Sequence, residues 1–339
     1  MRGSVQRESL HRLGIAFLGC GAVTRAHTRT LRSVDRDLRL FYASRDPLKA
    51  NELNTQYAGA GAFPSYAAAL EDSRVDLVLV ATPPAFHLEW TLRALAAGKH
   101  VIVEKPAFPR ATDFAVVERA TRQASREVMI AENYFYKPLL RVLRGIVRDG
   151  TIGEPRFLDI KALKTQRTGD WRDDPEVAAG GALYEGGIHW IDFLANLGLA
   201  VVSVHGFRPG SADGLDREMV VVARYAEGAV GVLFFSWATP SLLRGVRLSH
   251  IYGTEGSIRF ESNGLFVLAL GKRAQLRFPG VKDLTGTRAM FRDFLGALRQ
   301  RRPPQFTLAR ARHDLELVEA AYRTAADQSA AAFTTAQAF

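Results

Sequence analysis

The chain has 339 residues and a single cysteine, Cys20, so no intrachain disulfide can form. It lacks the apolar run of about 20 residues that a membrane-spanning helix needs. Residues 1–12 are polar and basic, without the apolar stretch of a signal peptide. These shortages set the expectation of a cytoplasmic protein with no membrane partner. Low-complexity tracts and internal repeats are missing too. Glu185 and His189 stand four apart, as half of a metal site would, but no further His, Cys or Glu cluster supplies the other ligands, so no metal is expected. Positive charge is in excess: 45 Lys and Arg against 35 Asp and Glu, a formal +10. The arginines are scattered from Arg2 to Arg323, and no basic run is interleaved with aromatics as a base-stacking platform would be. A solvated basic surface is expected, with no nucleic-acid partner. At 47% hydrophobic and 24% charged residues the composition is globular, and the length suits two domains.

The first 131 residues alternate short apolar runs (13–18, 38–43, 76–81, 100–103 and 128–131) with helical patterns at 48–57, 85–97 and 113–125. Fully apolar runs of this length suit buried parallel strands, and their alternation with helices predicts a doubly wound α/β sheet. After Pro138 the rhythm changes. A helix at 139–148 precedes longer strand-like runs at 156–163, 219–225, 229–237, 247–252 and 265–270, with turn signals such as Glu227-Gly228 and Asn263-Gly264 between them. A helix at 188–197 interrupts these runs, and amphipathic helices at 288–301 and 308–326 follow. The expected architecture is α/β plus α+β: a dinucleotide-binding Rossmann domain over 1–133, then an open, mostly antiparallel sheet domain over 134–339 whose terminal helices can pack back on the first. The run 229–237 is apolar on both faces, with Val230, Val232 and Phe234 on one and Leu233, Phe235 and Trp237 on the other. The helix at 188–197 can cover one face. The other face needs either the terminal helices or a second subunit, and a homodimer or homotetramer through this sheet is expected, with Phe235 in the contact.

The first predicted strand runs into Gly19-Cys20-Gly21-Ala22-Val23-Thr24. Gly19 permits a tight turn, Gly21 lets a pyrophosphate approach, and the N–H groups of Ala22 and Val23 open a helix whose dipole favours an anion. Thr24 stands at the third glycine position, so the dinucleotide fingerprint is incomplete. The second strand ends at Ser44-Arg45-Asp46, where an acidic residue would take the ribose hydroxyls of NAD. Ser44 at that position with Arg45 beside it favours NADP(H), with NAD(H) as the alternative. Asp46-Pro47 reads as a helix cap. Thr82, Pro83 and His87 follow the third of these runs, and Glu104, Lys105 and Pro106 the fourth, at strand ends where open α/β sheets bind ligands. Lysine there can stabilise a developing alkoxide, although Lys105 alone reads as readily as a loop lysine and His87 as a surface group. Glu185 and His189, on one helix face, can act as an oriented acid–base pair.

Taken together, Gly19-x-Gly21 with His27, Ala81-Thr82-Pro83…His87, Glu104-Lys105-Pro106, Gly180-Gly181…Gly187-x-His189-x-x-Asp192 and Gly253-Thr254-Glu255-Gly256 resemble the glucose–fructose oxidoreductase / inositol 2-dehydrogenase (Gfo/Idh/MocA) family over nearly the whole chain. The resemblance implies hydride transfer between a nicotinamide dinucleotide and a sugar-like or cyclitol-like polyol. It implies that Lys105 contacts the reacting hydroxyl and His189 is the general acid/base, with Glu185 where relatives usually carry aspartate. It also makes Arg172 and Asn133 candidates for the cofactor, and Tyr136 and Tyr184 candidates for the substrate, Tyr184 with packing as its alternative. Two other readings stay open: a redox-assisted glycoside-cleaving enzyme and a non-catalytic nucleotide sensor.

Overall fold

The computed structural model describes residues 12–210, 214–241 and 245–336, with side chains described up to residue 327. Six short strands, β1 (Gly14–Leu18), β2 (Arg39–Ala43), β3 (Gly61–Phe63), β4 (Leu77–Val80), β5 (His100–Val103) and β6 (Val128–Ile130), form a wholly parallel sheet in the order 3-2-1-4-5-6. Between them run helices α1 (Ala22–Val34), α2 (Pro47–Gln56), α3 (Tyr66–Glu71), α4 (His87–Ala96) and α5 (Asp113–Ala124). Strand side chains alternate between two cores because successive Cβ atoms point to opposite faces. Ile15, Phe17, Leu77, Leu79 and Ile102 enter one; Ala16, Leu18, Val78, Val80 and Val103 enter the other. The strand order reverses between β1 and β4, which opens a crevice past their C-terminal ends.

The rest of the chain begins with α6 (Pro138–Arg148) and builds an eight-stranded sheet. Its strands are β7 (Pro155–Leu163), β8 (Val201–Phe207), β9 (Glu218–Tyr225), β10 (Val230–Ser236), β11 (Leu248–Gly253), β12 (Gly256–Glu261), β13 (Val267–Leu270) and β14 (Gln275–Arg277), in the order 14-13-12-11-7-10-9-8. Only β7 and β10 pair in parallel; every other pairing is antiparallel. Helices α7 (Pro175–Ala178) and α8 (Ile188–Ala195) lie between β7 and β8, and α9 (Thr287–Gln300) and α10 (Leu308–Ala336) close the chain. No helix among the described residues is long and apolar enough to cross a membrane.

The helices α8 and α10 share one face of the second sheet, where Leu158, Ile160, Val221, Leu233 and Phe235 are buried. This corrects the expectation for Phe235, which faces these helices and not the outside. The opposite face stays open in a single chain: Phe157 is 65% exposed and Phe234 38%, beside half-buried Val230 and Val232. By contrast α9 returns to the first sheet, where Met290, Phe291 and Phe294 pack with Ile15, Phe17 and Leu31.

Candidate active site

The cofactor side of the crevice starts where β1 meets α1. Gly19 has φ +116°, and a Cβ there would lie 2.5 Å from the Ala81 carbonyl oxygen, so only glycine fits between the two strand ends. Thr24 explains the incomplete fingerprint. Its hydroxyl, fully buried, donates to the Gly19 carbonyl at 2.7 Å and ties the helix to the turn. The first backbone bond of α1 runs from the Arg25 N–H to the Gly21 carbonyl, so the N–H groups of Ala22 and Val23 have no partner within the helix. No atom lies within 4 Å of a Cβ built on Gly21. An open, glycine-faced helix start of this kind fits a pyrophosphate. The buried Thr82 hydroxyl, without a hydrogen-bond partner, adds a polar group at the same rim.

Ser44 is buried at the end of β2 and accepts the Asp46 N–H at 3.1 Å, while the Asp46 carboxylate caps α2 by accepting the Leu48 N–H at 3.0 Å. Arg45 is exposed, with Lys49 and Tyr66 along the same wall. From Gly19, Gly21 and Arg45 the cleft, about 650 Å³, runs on to Lys105, Arg172 and Glu185.

Two of the expected cofactor residues serve the walls instead. His87 is fully buried, and its ring nitrogens lie 2.7 Å from the Thr82 carbonyl oxygen and 2.9 Å from that of Pro106, so it fastens the loops after β4 and β5 together. Burial pushes its pKa down, against the pull of those carbonyls. Glu104 turns toward α1 and accepts a hydrogen bond from His27 Nε2. Burial alone would raise its carboxyl, but His27 and Lys105 hold it below the ordinary range.

Lys105, just past β5, donates to the Glu185 carbonyl at 2.7 Å and to Glu185 Oε1 at 3.3 Å. Arg172, on a short turn at Trp171–Asp173, donates to the same carboxylate oxygen at 3.3 Å and to Asp170 at 2.6 Å. Burial pushes the Glu185 carboxyl up, and Lys105, Arg172 and His189 outweigh it and hold it ionised. Glu185 sits in a single wide turn, Leu183–Gly187, that leads into α8. His189 follows in the first turn of α8, but its partner is not Glu185. His189 Nδ1 donates to both oxygens of Glu132, at 2.6 and 2.8 Å. The expected Glu185–His189 pair therefore does not form: two cations hold Glu185, and a closer carboxylate holds His189.

Glu132 is the functional residue that sequence reasoning missed. It stands two residues past β6, is 2% exposed, and is steadied by the Tyr134 N–H at 2.8 Å. Its signal is an acid directly after an apolar strand, at the edge where the other site residues converge. The Tyr134 ring stacks on His189 with centroids 4.4 Å apart. Nδ1 is thus committed as a donor, and Nε2 has no hydrogen-bond partner among the described residues, which suits a base or acid. Behind Glu132 lie Asp192 and Asp314, both buried, with Asp192 Oδ2 and both Asp314 oxygens lacking hydrogen-bond partners. Burial raises both carboxyls well above their usual range, and repulsion from Glu132 adds to this.

Three other expected residues lie elsewhere. Tyr184 is 3% exposed and donates to the Phe108 carbonyl at 2.8 Å, so it packs. Tyr136 donates to Asp293 at 2.8 Å, and the Asn133 amide donates to the Thr285 carbonyl at 2.6 Å. Both are tied to the segment around α9; like His189 and Glu132, they stand outside the residues that line the cleft from Gly19 to Glu185.

A parallel sheet of order 3-2-1-4-5-6, a glycine-faced helix start and a lysine at the far end of one cleft define a nicotinamide-dinucleotide oxidoreductase. The chain belongs to the Gfo/Idh/MocA family. Residues 13–132 match the oxidoreductase family with an NAD-binding Rossmann fold, and residues 140–259 match the GFO/IDH/MocA C-terminal domain. It is 37% identical over 152 residues, 43% of each chain, to the dTDP-3,4-didehydro-2,6-dideoxy-alpha-D-glucose 3-reductase of Streptomyces violaceoruber. To levoglucosan dehydrogenase of Pseudarthrobacter phenanthrenivorans it is 25% identical over 294 residues, 74% of each chain. The crystal structure of GenD2 from gentamicin A biosynthesis, in complex with NAD, superposes with a TM-score of 0.80 at 26% identity, covering 96% of this chain and 98% of that one.

Proposed function

We propose that the protein transfers a hydride between NADP(H), in preference to NAD(H), and a hydroxyl or keto carbon of a sugar-like or cyclitol-like polyol. One observation carries the reading: a single cleft joins the glycine-faced start of α1 to the Lys105–Glu185–Arg172 cluster. The relatives add to it, since levoglucosan dehydrogenase and the dTDP-sugar reductase act, by their names, on sugars.

In this reading Gly19, Gly21, Ala22 and Val23 hold the pyrophosphate, Ser44 and Arg45 the 2′-phosphate, and Thr82 and Pro83 line the adjoining wall. When bound, the nicotinamide takes or gives the hydride. For oxidation, His189 Nε2 accepts the hydroxyl proton, and the resulting imidazolium is held by Glu132 through Nδ1. The Lys105 ammonium lies against the oxygen where negative charge develops and lowers the cost of the alkoxide. Glu185 fixes Lys105, and Arg172 shares the load of that buried carboxylate. In reduction the same proton returns from His189. The reading also divides the chain near residue 133 and pairs two subunits, or two such pairs, through the open sheet face.

The test is turnover of NADP and NAD with neutral and charged polyols in wild type and in Lys105→Ala. A fall of about two to four orders of magnitude in kcat for the variant supports the assignment; turnover near wild type contradicts it.

A further inference from the structure

Behind the Glu132–His189 pair the molecule buries two more acids that the hydride-transfer scheme leaves unused. Asp314 stands on the apolar side of α10, beside Leu315 and between Ala311 and Val318, all of them buried. Asp192 stands on α8 between buried Ile191 and Phe193. Among the described residues no cation forms an ion pair with either aspartate. Arg144 and Arg310, which act on them through space, donate instead to Asn196, Arg144 to its carbonyl and Arg310 to its side-chain oxygen at 2.7 Å. A single side-chain donor reaches the pair, the Asn196 amide on Asp192 Oδ1 at 2.8 Å. Asp192 Oδ2 and both oxygens of Asp314 receive no hydrogen bond from any other described residue, yet the two carboxyl groups lie within hydrogen-bonding reach of each other.

Two buried carboxylates face to face repel and leave their oxygens unpaired, whereas one acid and one carboxylate make an O–H···O bond. The electrostatics agree. Burial raises both carboxyls, repulsion from Glu132 raises both further, and Arg144 and Arg310 oppose this only in part. Their mutual hydrogen bond raises Asp192 and lowers Asp314, as it does when Asp192 donates and Asp314 accepts. A small cavity joins this pair to the site. It is lined by Lys105, Glu132 and Asp314 among apolar Phe114, Ile130 and Phe306, with room of about 10 Å³ for the centre of one water. A water there has the several polar partners that a buried water needs.

We propose that Asp314 is a proton-holding residue for the reaction: the proton gained at His189 passes through Glu132 and a water in this cavity to the Asp192–Asp314 pair, and returns by the same route. The proposal rests on the hydride-transfer reading and adds the path of its proton. In oxidation the substrate O–H bond breaks and its proton joins His189 Nε2, while the hydride leaves carbon for the nicotinamide. The Nδ1 proton then moves to Glu132. Glu132 gives a proton to the water as the water gives one to Asp314. His189 and Glu132 are back at their starting charges, so no half-buried imidazolium persists while product is bound. The His189 side chain is 14% exposed, and once product leaves, Nε2 releases its proton to solvent as the stored one returns to Nδ1. In reduction each transfer reverses, and Nε2 protonates the oxygen that gains negative charge as the hydride arrives.

Infrared spectroscopy of the cofactor-loaded protein reads the held proton. At neutral pH wild type should show the C=O stretch of a protonated carboxyl, shifted in D2O, that Asp192→Asn/Asp314→Asn lacks. Turnover is followed by nicotinamide absorbance on a panel of neutral hexoses and cyclitols, and the fastest serves for the remaining measurements. During a single turnover by wild type the band should grow while product is bound and recede after release, a readout that needs no variant. Asp314→Asn, nearly the same size as the native residue, should cut kcat about tenfold or more with KM and cofactor affinity unchanged. Its solvent deuterium isotope effect on kcat should exceed that of wild type, because proton transfer from His189 then limits the rate. Absence of the band in wild type, or a band that stays constant through turnover, overturns the proposal and leaves hydride transfer standing. So does an Asp314→Asn protein with the kcat or the isotope effect of wild type, which would make Asp314 a structural residue. No reduction by any sugar, with the band in place, contradicts the hydride reading and the relay with it, while the shared proton stands.

Discussion

His189 is positioned by groups far away in sequence. Glu132 accepts from its Nδ1 across 57 residues, Tyr134 stacks on its ring, and Nε2 is left without a hydrogen-bond partner among the described residues. His189→Ala should reduce kcat by about two to four orders of magnitude with cofactor affinity nearly unchanged; isothermal titration with each cofactor checks the second part. Glu132→Gln separates positioning from proton transfer. The amide still accepts a hydrogen bond but carries no charge to hold the imidazolium formed in the reaction, so kcat should drop about ten- to a hundredfold while cofactor affinity stays unchanged. A kcat near wild type would make Glu132 a packing residue only. At the other end of the cleft, Arg45→Ala should raise KM for NADP about tenfold, in line with the roughly 1.5–3 kcal/mol of a charge-assisted contact, and leave KM for NAD near its starting value.

The elements were legible where the sequence pattern carries one period, and illegible where it does not. Strands β1, β2, β4, β5 and β6 lie within one or two residues of the expected apolar runs, because a buried parallel strand must be apolar on both faces. β8 was not expected. It runs Val201–Phe207 along the sheet edge with Val202 and Phe207 exposed, so its pattern does not sort into inside and outside. β3 and β14 are three residues each and too short to show a period, and β12 opens on Gly256-Ser257 with Arg259 exposed. The strand-end residues Gly19, Thr82 and Lys105 could be read from local signals. Glu132 could not be paired with His189, because spacing points to the neighbour at i−4 and says nothing of an acid two residues past β6. At this scale the buried Asp192–Asp314 pair of α8 and α10 makes its own prediction. Their folded-state pKa values are raised, so above the ordinary carboxyl range the folded protein holds more protons than the unfolded chain, and stability falls as pH rises through that window. Glu185 and Glu104, whose values are lowered, act in the opposite sense and only on the acid side. Asp314→Asn should therefore flatten the decline of Tm as pH rises above the ordinary carboxyl range, as scanning calorimetry will show. Equal slopes in variant and wild type would mean that this pair does not set the dependence.

For the molecule as a whole, the two sheets share their helices: α9 returns to the first sheet and α10 joins α8 on the inner face of the second. The outer face, with Phe157, Val230, Val232 and Phe234, remains uncovered in one chain, and apolar sheet faces of this kind mark interfaces. We expect a dimer through it. Phe234→Glu should yield a species at the 37.4 kDa monomer mass in sedimentation equilibrium while retaining the wild-type fold; a wild-type monomer at micromolar concentration would remove the interface. The central claim concerns the cleft itself, and one measurement bears on it most directly. Nicotinamide absorbance is followed with NADP and with NAD across neutral and charged sugars and cyclitols, in wild type and in His189→Ala. The account predicts sugar-dependent reduction, faster with NADP, that falls at least a hundredfold in the variant while both proteins bind cofactor equally. Cofactor binding without reduction by any sugar in wild type, or equal rates in the two proteins, would contradict it.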